Sequence, residues 1–171
     1  AGLVIAVADD PGMHSSQNEQ DSRAYAAAAH LPMLEPIDSE QARLLAREAF
    51  ALSERCDTPV LLRSTTRLSH GKSLVGPPRE RERPRVPPGF ERDPAKWVMI
   101  PANARARRIA LERRIPLLER EAERLAGTDL RSADLGFITS GVCATYVREA
   151  FPEASILTLA MVHPLPRVAV A

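Results

Sequence analysis

The sequence predicts an α/β fold built around a parallel sheet, and three observations carry that reading. Leu3-Val4-Ile5-Ala6-Val7-Ala8 and Pro59-Val60-Leu61-Leu62-Arg63-Ser64 are strand-length runs with few polar breaks, the pattern of parallel strands covered on both faces. Between them Ala42, Leu45, Ala46, Ala49 and Leu52 recur at helical spacing. A second strand–helix–strand series follows late in the chain, at residues 135–140, 142–151 and 155–160.

Each element has a local reason. The run 3–8 reads as a central strand, stopped by the turn signal Asp9-Asp10-Pro11-Gly12. Residues 19–30 read as a helix that Ser16 or Asn18 can cap, and a short strand follows before the next helix. Asp38 opens that helix, with Gln41 three residues on as its capping-box partner. The strand at 59–64 closes the first unit. Seven of the 15 prolines then fall between Gly76 and Pro101, which predicts an extended connector because proline fixes φ and removes a donor. Within it Arg79, Arg81, Arg83 and Arg85 alternate with Glu80 and Glu82, a solvated stretch rather than a nucleic-acid arm. Residues 103–126 form a basic helix with the stripe Leu111, Ile115, Leu118, Ala122, Leu125; Pro116 is expected to kink or split it, and Gly127 to cap it. Residues 1–75, 76–130 and 131–171 thus read as three successive parts.

Composition bounds the function. The chain has 171 residues, 44% hydrophobic and 26% charged, which excludes a wholly disordered chain. No apolar run reaches the ~20 residues of a membrane span. Net charge is +1, so no global field points to nucleic acid or anionic lipid. The charge is uneven: residues 1–68 carry −4 and 69–130 carry +5. Cys56 and Cys143 alone cannot build a structural zinc site or an iron–sulfur cluster, and so few cysteines suit a reducing cytoplasm. There is no signal-peptide pattern, and apolar runs at both ends read as a piece of a longer protein.

The densest polar stretch runs from Asp9 to Arg23, after a strand and before a helix, where parallel α/β sheets place ligands. Here His14 is the candidate acid/base or hydrogen-bond donor, and Ser15, Ser16, Gln17, Asn18, Glu19 and Gln20 are candidate contacts for a polar substrate or cofactor. The plainer alternative is a capped, solvated loop. Ser64-Thr65-Thr66-Arg67-Leu68-Ser69-His70-Gly71 follows the other strand and is expected at the same sheet edge. Thr139-Ser140-Gly141 has a phosphate-cradling shape but neither glycine fingerprint, which favours helix–strand packing and disfavours a free-standing nucleotide binder. Cys143 reads as a small core residue. Trp97 and the turn Met161-Val162-His163-Pro164-Leu165-Pro166 read as packing anchors between the parts.

The run Val7-Ala8-Asp9-Asp10-Pro11-Gly12-Met13-His14-Ser15-Ser16-Gln17-Asn18-Glu19-Gln20-Asp21-Ser22-Arg23 closely resembles the alpha subunit of indolepyruvate ferredoxin oxidoreductase. The likeness continues through Pro32-Met33-Leu34-Glu35-Pro36, Asp57-Thr58-Pro59 to Ser69-His70, Val98-Met99-Ile100-Pro101-Ala102-Asn103-Ala104-Arg105, Gly136-Phe137-Ile138-Thr139-Ser140-Gly141 and Pro164-Leu165-Pro166. These blocks stand in family order along nearly the whole chain.

The resemblance implies part of a thiamine diphosphate enzyme that oxidatively decarboxylates arylpyruvates with coenzyme A, passing electrons to ferredoxin and working with a beta subunit. It implies that residues 1–75 form the second half of a pyrimidine-type thiamine-binding domain and that residues from 131 begin a transketolase C-terminal-like domain. The family's activating glutamate, its Gly-Asp-Gly magnesium and diphosphate motif, and the cysteines of its [4Fe-4S] clusters have no counterpart here, so this chain is not expected to catalyse alone. The related loop in the wider superfamily lies near the substrate, which implies that His14 and neighbouring amides contact the 2-oxoacid. The alternative is a non-catalytic docking module of such a complex. Nucleic acid and membrane are not expected partners.

Overall fold

In the computed structural model, which describes residues 2–77, 89, 92–132 and 134–171, the apolar runs form strands and the periodic segments form helices. In order, β1 is Val4–Asp9, α1 Arg23–Ala29, β2 Met33–Leu34, α2 Ser39–Cys56, β3 Val60–Thr65 and α3 Thr66–His70. Then come α4 Pro94–Trp97, α5 Pro101–Leu125, β4 Gly127–Asp129, β5 Gly136–Ser140, α6 Cys143–Ala150, β6 Ser155–Leu159, β7 Met161–His163 and α7 Arg167–Val170. The result is mixed α/β with parallel pairing, as predicted.

Two sheets result. The first has the order β1-β3-β2-β7, with β1 and β2 both parallel to β3 and β7 antiparallel to β2. The second has the order β4-β6-β5, with β5 parallel to β6. Among the described residues β1 pairs with β3 alone and Ile5 is 39% exposed, so the second neighbour that its apolar run calls for is not among them. The buried strands are β2 and β3.

The main core packs α2 and α5 on the first sheet through Leu34, Leu45, Leu52, Val60, Leu118 and Met161; Ala26, Met33 and Leu61 fill the other face beneath α1. The α2 start follows the sequence. The Asp38 carboxylate accepts the Gln41 N–H at 2.7 Å, while Gln41 Oε1 accepts the Ile37 N–H at 2.8 Å, satisfying two donors at the helix end.

Several expectations need correction. α5 is not split at Pro116 but runs on as one helix, because Leu118 and Ala122 are buried in the core on its far side and hold the chain helical despite the missing N–H. Ala126 caps it, and Gly127 opens β4. Helix α1 starts at Arg23 rather than 19, with Ser22 and not Ser16 or Asn18 at its N-cap, since carboxylates at the end of β1 hold the preceding loop. Of the expected extended connector, residues 94–97 form a helical turn capped by Asp93, and Pro101 begins α5. The Arg79–Arg85 alternation lies outside the described residues. Cys143 is exposed, because α6 turns Ala144 inward instead. Trp97 is half-exposed, with Lys96 Nζ 4.6 Å from its ring centre. In the 161–166 turn, Met161 and Pro166 are buried, and His163–Pro164 is a cis peptide.

Candidate functional site

The site begins with two adjacent aspartates at the end of β1. Successive residues at a strand end face opposite ways, and these two serve different structures. Asp10 organises the loop: its carboxylate accepts the backbone N–H groups of His14 (3.1 Å), Ser15 (2.7 Å) and Ser16 (2.7 Å) and the Thr66 hydroxyl. The Thr66 hydroxyl, with these amides, holds the Asp10 carboxyl far below the usual carboxylate range. Gly12 at φ 78° and Met13 at φ 52° make the reversal that brings the amides round, and the Asp10 carbonyl accepts from Met13 N.

Asp9 faces the interior. Its carboxylate accepts the Ser22 N–H (2.7 Å) and hydroxyl (2.6 Å), and the Arg63 Nε–H at 2.5 Å. Arg63 is 2% exposed in the middle of β3 and also donates to Glu35 Oε1 at 2.7 Å. Asp21, paired with Arg23, stands 3.6 Å from Arg63; its hydrogen bonds from the Arg23 guanidinium lower its pKa to about 2. A buried guanidinium thus meets the buried charges that it requires.

Above this base lies an open cavity of about 440 Å³, lined by His14, Thr66, Arg67, His70, Gly71 and Tyr146. Three elements contribute: the loop after β1, the helix α3 that follows β3 directly, and α6 from the second sheet. Since β1 and β3 are parallel and in register from Val4–Val60 to Asp9–Thr65, their ends emerge side by side. That is why His14 and His70, far apart in sequence, share one cavity. Two histidines, an arginine, a threonine and a tyrosine thus line one concave surface, a mix of polar groups with one fixed positive charge at Arg67.

Comparison with known proteins bears on what this surface belongs to. The chain is 40% identical to indolepyruvate oxidoreductase subunit IorA of Archaeoglobus fulgidus, across 96% of this chain and 27% of that protein. It is 40% identical to the Methanothermobacter marburgensis protein of the same name, across 100% of this chain and 29% of that one. The Methanothermobacter thermautotrophicus protein of that name is 41% identical, across 97% and 28%. Over this stretch the chain belongs to the IorA family. It spans less than a third of the length of these relatives. No protein-family model matches it.

Within this IorA segment the predicted site residues part company. His14 lines the cavity. Ser15 and Ser16 engage Asp10 through their backbone, so those amides are turned from the cavity toward the carboxylate. Gln20 donates from Nε2 to Asn18 Oδ1 at 2.9 Å, along the loop itself. Gln17 and Glu19 are exposed on the loop. The 64–71 stretch, ranked below the His14 loop from sequence, supplies more of the lining than that loop does. Sequence reasoning passed over Arg67 as a lining residue, Tyr146, and the Asp9–Arg63–Glu35 group. An arginine inside the apolar run Val60-Leu61-Leu62-Arg63 was the available signal, because such a charge demands buried partners.

Magnesium and an iron–sulfur cluster find no fit in this segment. Among the described residues no group of three or more His, Cys, Asp or Glu side chains converges to hold a metal. Cys56 is buried in the main core, and Cys143 stands exposed on α6. No described helix is long and apolar enough to cross a membrane.

Proposed function

We propose that this chain is part of the alpha subunit of an indolepyruvate:ferredoxin oxidoreductase, and that the His14–Tyr146 cavity receives the 2-oxoacid. The whole enzyme oxidatively decarboxylates arylpyruvates to aryl-acetyl-CoA, with ferredoxin as electron acceptor, a beta subunit as partner and the cytoplasm as its location. Thiamine diphosphate would supply an electron sink when bound; magnesium and the [4Fe-4S] clusters would be held by parts of the enzyme other than the residues described.

What this chain contributes is binding and orientation. Arg67 and the His70 imidazole receive the carboxylate as charge-assisted partners. His14 donates to the keto oxygen or the carboxylate, and it is the residue placed to hold a proton at that atom. The face of Tyr146 bounds the aryl ring. The observation that carries this reading is the convergence of His14, Arg67, His70 and Tyr146 on one cavity at the ends of two parallel strands.

In the full-length subunit assembled with its partner, Arg67→Gln is expected to raise KM for indolepyruvate by about 10- to 100-fold, the loss of one charged hydrogen bond. A KM within twofold of the parent excludes the cavity as the carboxylate site. A second reading, a docking role, is favoured by the corner at Trp97, Val98, Met99 and Ile100, where four large apolar side chains are each at least 51% exposed. Protection of the 13–20 amides by indolepyruvate in hydrogen exchange of the complex separates the two: the docking reading predicts none.

A further inference from the structure

We propose that Glu35 is a positioning residue that fixes the separation of the two walls of the cavity. This rests on reading the cavity as the substrate site only for its consequence in turnover; the mechanical claim stands on the geometry.

One wall, the His14 loop with α3, belongs to the first sheet. The other, Tyr146, belongs to α6 on the second sheet. Open space flanks α6 on the side facing the first sheet: besides the main cavity, a second one of about 190 Å³ runs between Val142 and Thr145 of α6, Ile37 to Ser39 at the start of α2, and Arg67 and Gly71. Packing against α2 and α3 is thus too loose to set where α6 stands. Within its own sheet α6 is held by β5, and where its first turn stands relative to the first sheet is set at residues 140–141.

That turn sits on Glu35. Ser140 Oγ donates to Glu35 Oε2 at 3.4 Å, and Gly141 lies so close that a Cβ there would collide with the Glu35 carboxylate. Gly141 is also at φ 54°, the left-handed region that suits glycine. On its other side Glu35 is fixed twice, by Arg63 Nη1 at 2.7 Å and by its own N–H on the Ala160 carbonyl at 2.9 Å. Arg63 in turn is held by Asp9, whose carboxylate also accepts the Ser22 N–H where the His14 loop runs into α1. A continuous line therefore runs from the loop wall through Asp9, Arg63 and Glu35 to the first residues before α6.

Stability does not demand this line. Buried ion pairs exchanged for apolar side chains of similar volume are commonly neutral or stabilising, and in some proteins such pairs are kept for the geometry they specify. Glu35 is 6% exposed with both carboxylate oxygens engaged, one toward each sheet.

The test is a cycle in the full-length subunit assembled with its partner. Glu35→Asp withdraws the carboxylate by one methylene; Gly141→Ala drives a methyl into it; the double variant places the methyl in the vacated space. Each single variant is expected to speed hydrogen exchange at amides 141–146 and to raise KM for indolepyruvate by about tenfold or more, since displacements near 1 Å cost up to about 100-fold. The double variant should recover the part of both effects that comes from the collision, giving losses clearly smaller than the sum of the single ones; the left-handed strain of an alanine at 141 remains. Glu35→Gln, which preserves the reach, covers the case where a single variant fails to fold, and should leave KM within about threefold. Unchanged exchange at 141–146 in Glu35→Asp, or additive losses in the double variant, overturns the proposal. Altered and rescued exchange with KM unmoved upholds the positioning role and removes the substrate reading of the cavity.

Discussion

The two sheets of this molecule are built to different standards. The first has helices on both faces: α2 and α5 close one side over Leu34, Leu52, Val60 and Leu118, and α1 covers Met33 and Leu61 on the other. The second has three strands with α6 packed on β5, where Phe137 meets Phe151 at 5.0 Å between ring centres. Ile138 on β5 is 56% exposed, whereas Met33 and Leu34 on β2 are fully buried. The cavity is shared between these regimes. Its histidines and Arg67 stand on a two-sided core that resists displacement, while Tyr146 rides on a one-sided sheet joined to the first through β7 and Glu35. Among the described residues a site divided this way has a half held from two sides and a half held from one.

The sharpest way to break this contrast is to attack the half held from two sides from inside. Arg63→Met leaves Asp9 and Glu35 buried without their shared cation, and removing one partner of such a group costs about 3–5 kcal/mol. Native-state hydrogen exchange at the β3 amides reads that loss directly. A change below about 1 kcal/mol would mean that the first sheet is not held as its packing implies.

Next in size is a paired truncation. Leu52→Ala removes a fully buried side chain from the main core and is expected to cost about 2–5 kcal/mol. Ile138→Thr, at a position exposed among the described residues, should fall within about 0.5 kcal/mol of the parent when this 171-residue chain is measured by itself, and any larger loss in the intact subunit reads the covering that the rest of the protein gives the second sheet. Thermal unfolding compares the two in this chain and in the intact subunit, and equal losses in the chain would erase the distinction between the sheets.

How far the sequence already contained this architecture varies by element. α2 was legible down to its cap, since Asp38, Gln41 and the apolar spacing are local signals that tertiary context did not contradict. The strands were legible as strands, but not their neighbours: an apolar run does not say which strands pair with it, and among the described residues β1 pairs with β3 alone. β7 is three residues beside prolines, too short for any period to show. His14 was legible because loops after parallel strands gather at one sheet edge. Its partner Tyr146 was not, because α6 reaches the cavity through a contact between two sheets. Asp9 and Asp10 read as a turn, since nothing in their spacing reveals that one aims inward at Arg63 and the other at the loop amides.

The smallest effect concerns acid. Asp21 is held at a pKa of about 2 by the Arg23 guanidinium, against 3.8 for the ordinary carboxylate. A group whose pKa is lowered on folding contributes stability above its unfolded value and loses it as the pH falls toward the folded one. Its support for the start of α1 should therefore be complete above pH 4 and fade between 3.8 and about 2. Both partners are solvent-accessible, so the loss is local and modest. The Asp10 carboxyl, lowered further by Thr66 and the loop amides, should outlast it. Carboxylate infrared bands recorded from pH 5 downward, with Asp21→Asn to assign the Asp21 band, are expected to show Asp21 protonating before Asp10. The opposite order would mean that the exposed pair, and not the strand-end loop, is the better-held part of the half held from two sides.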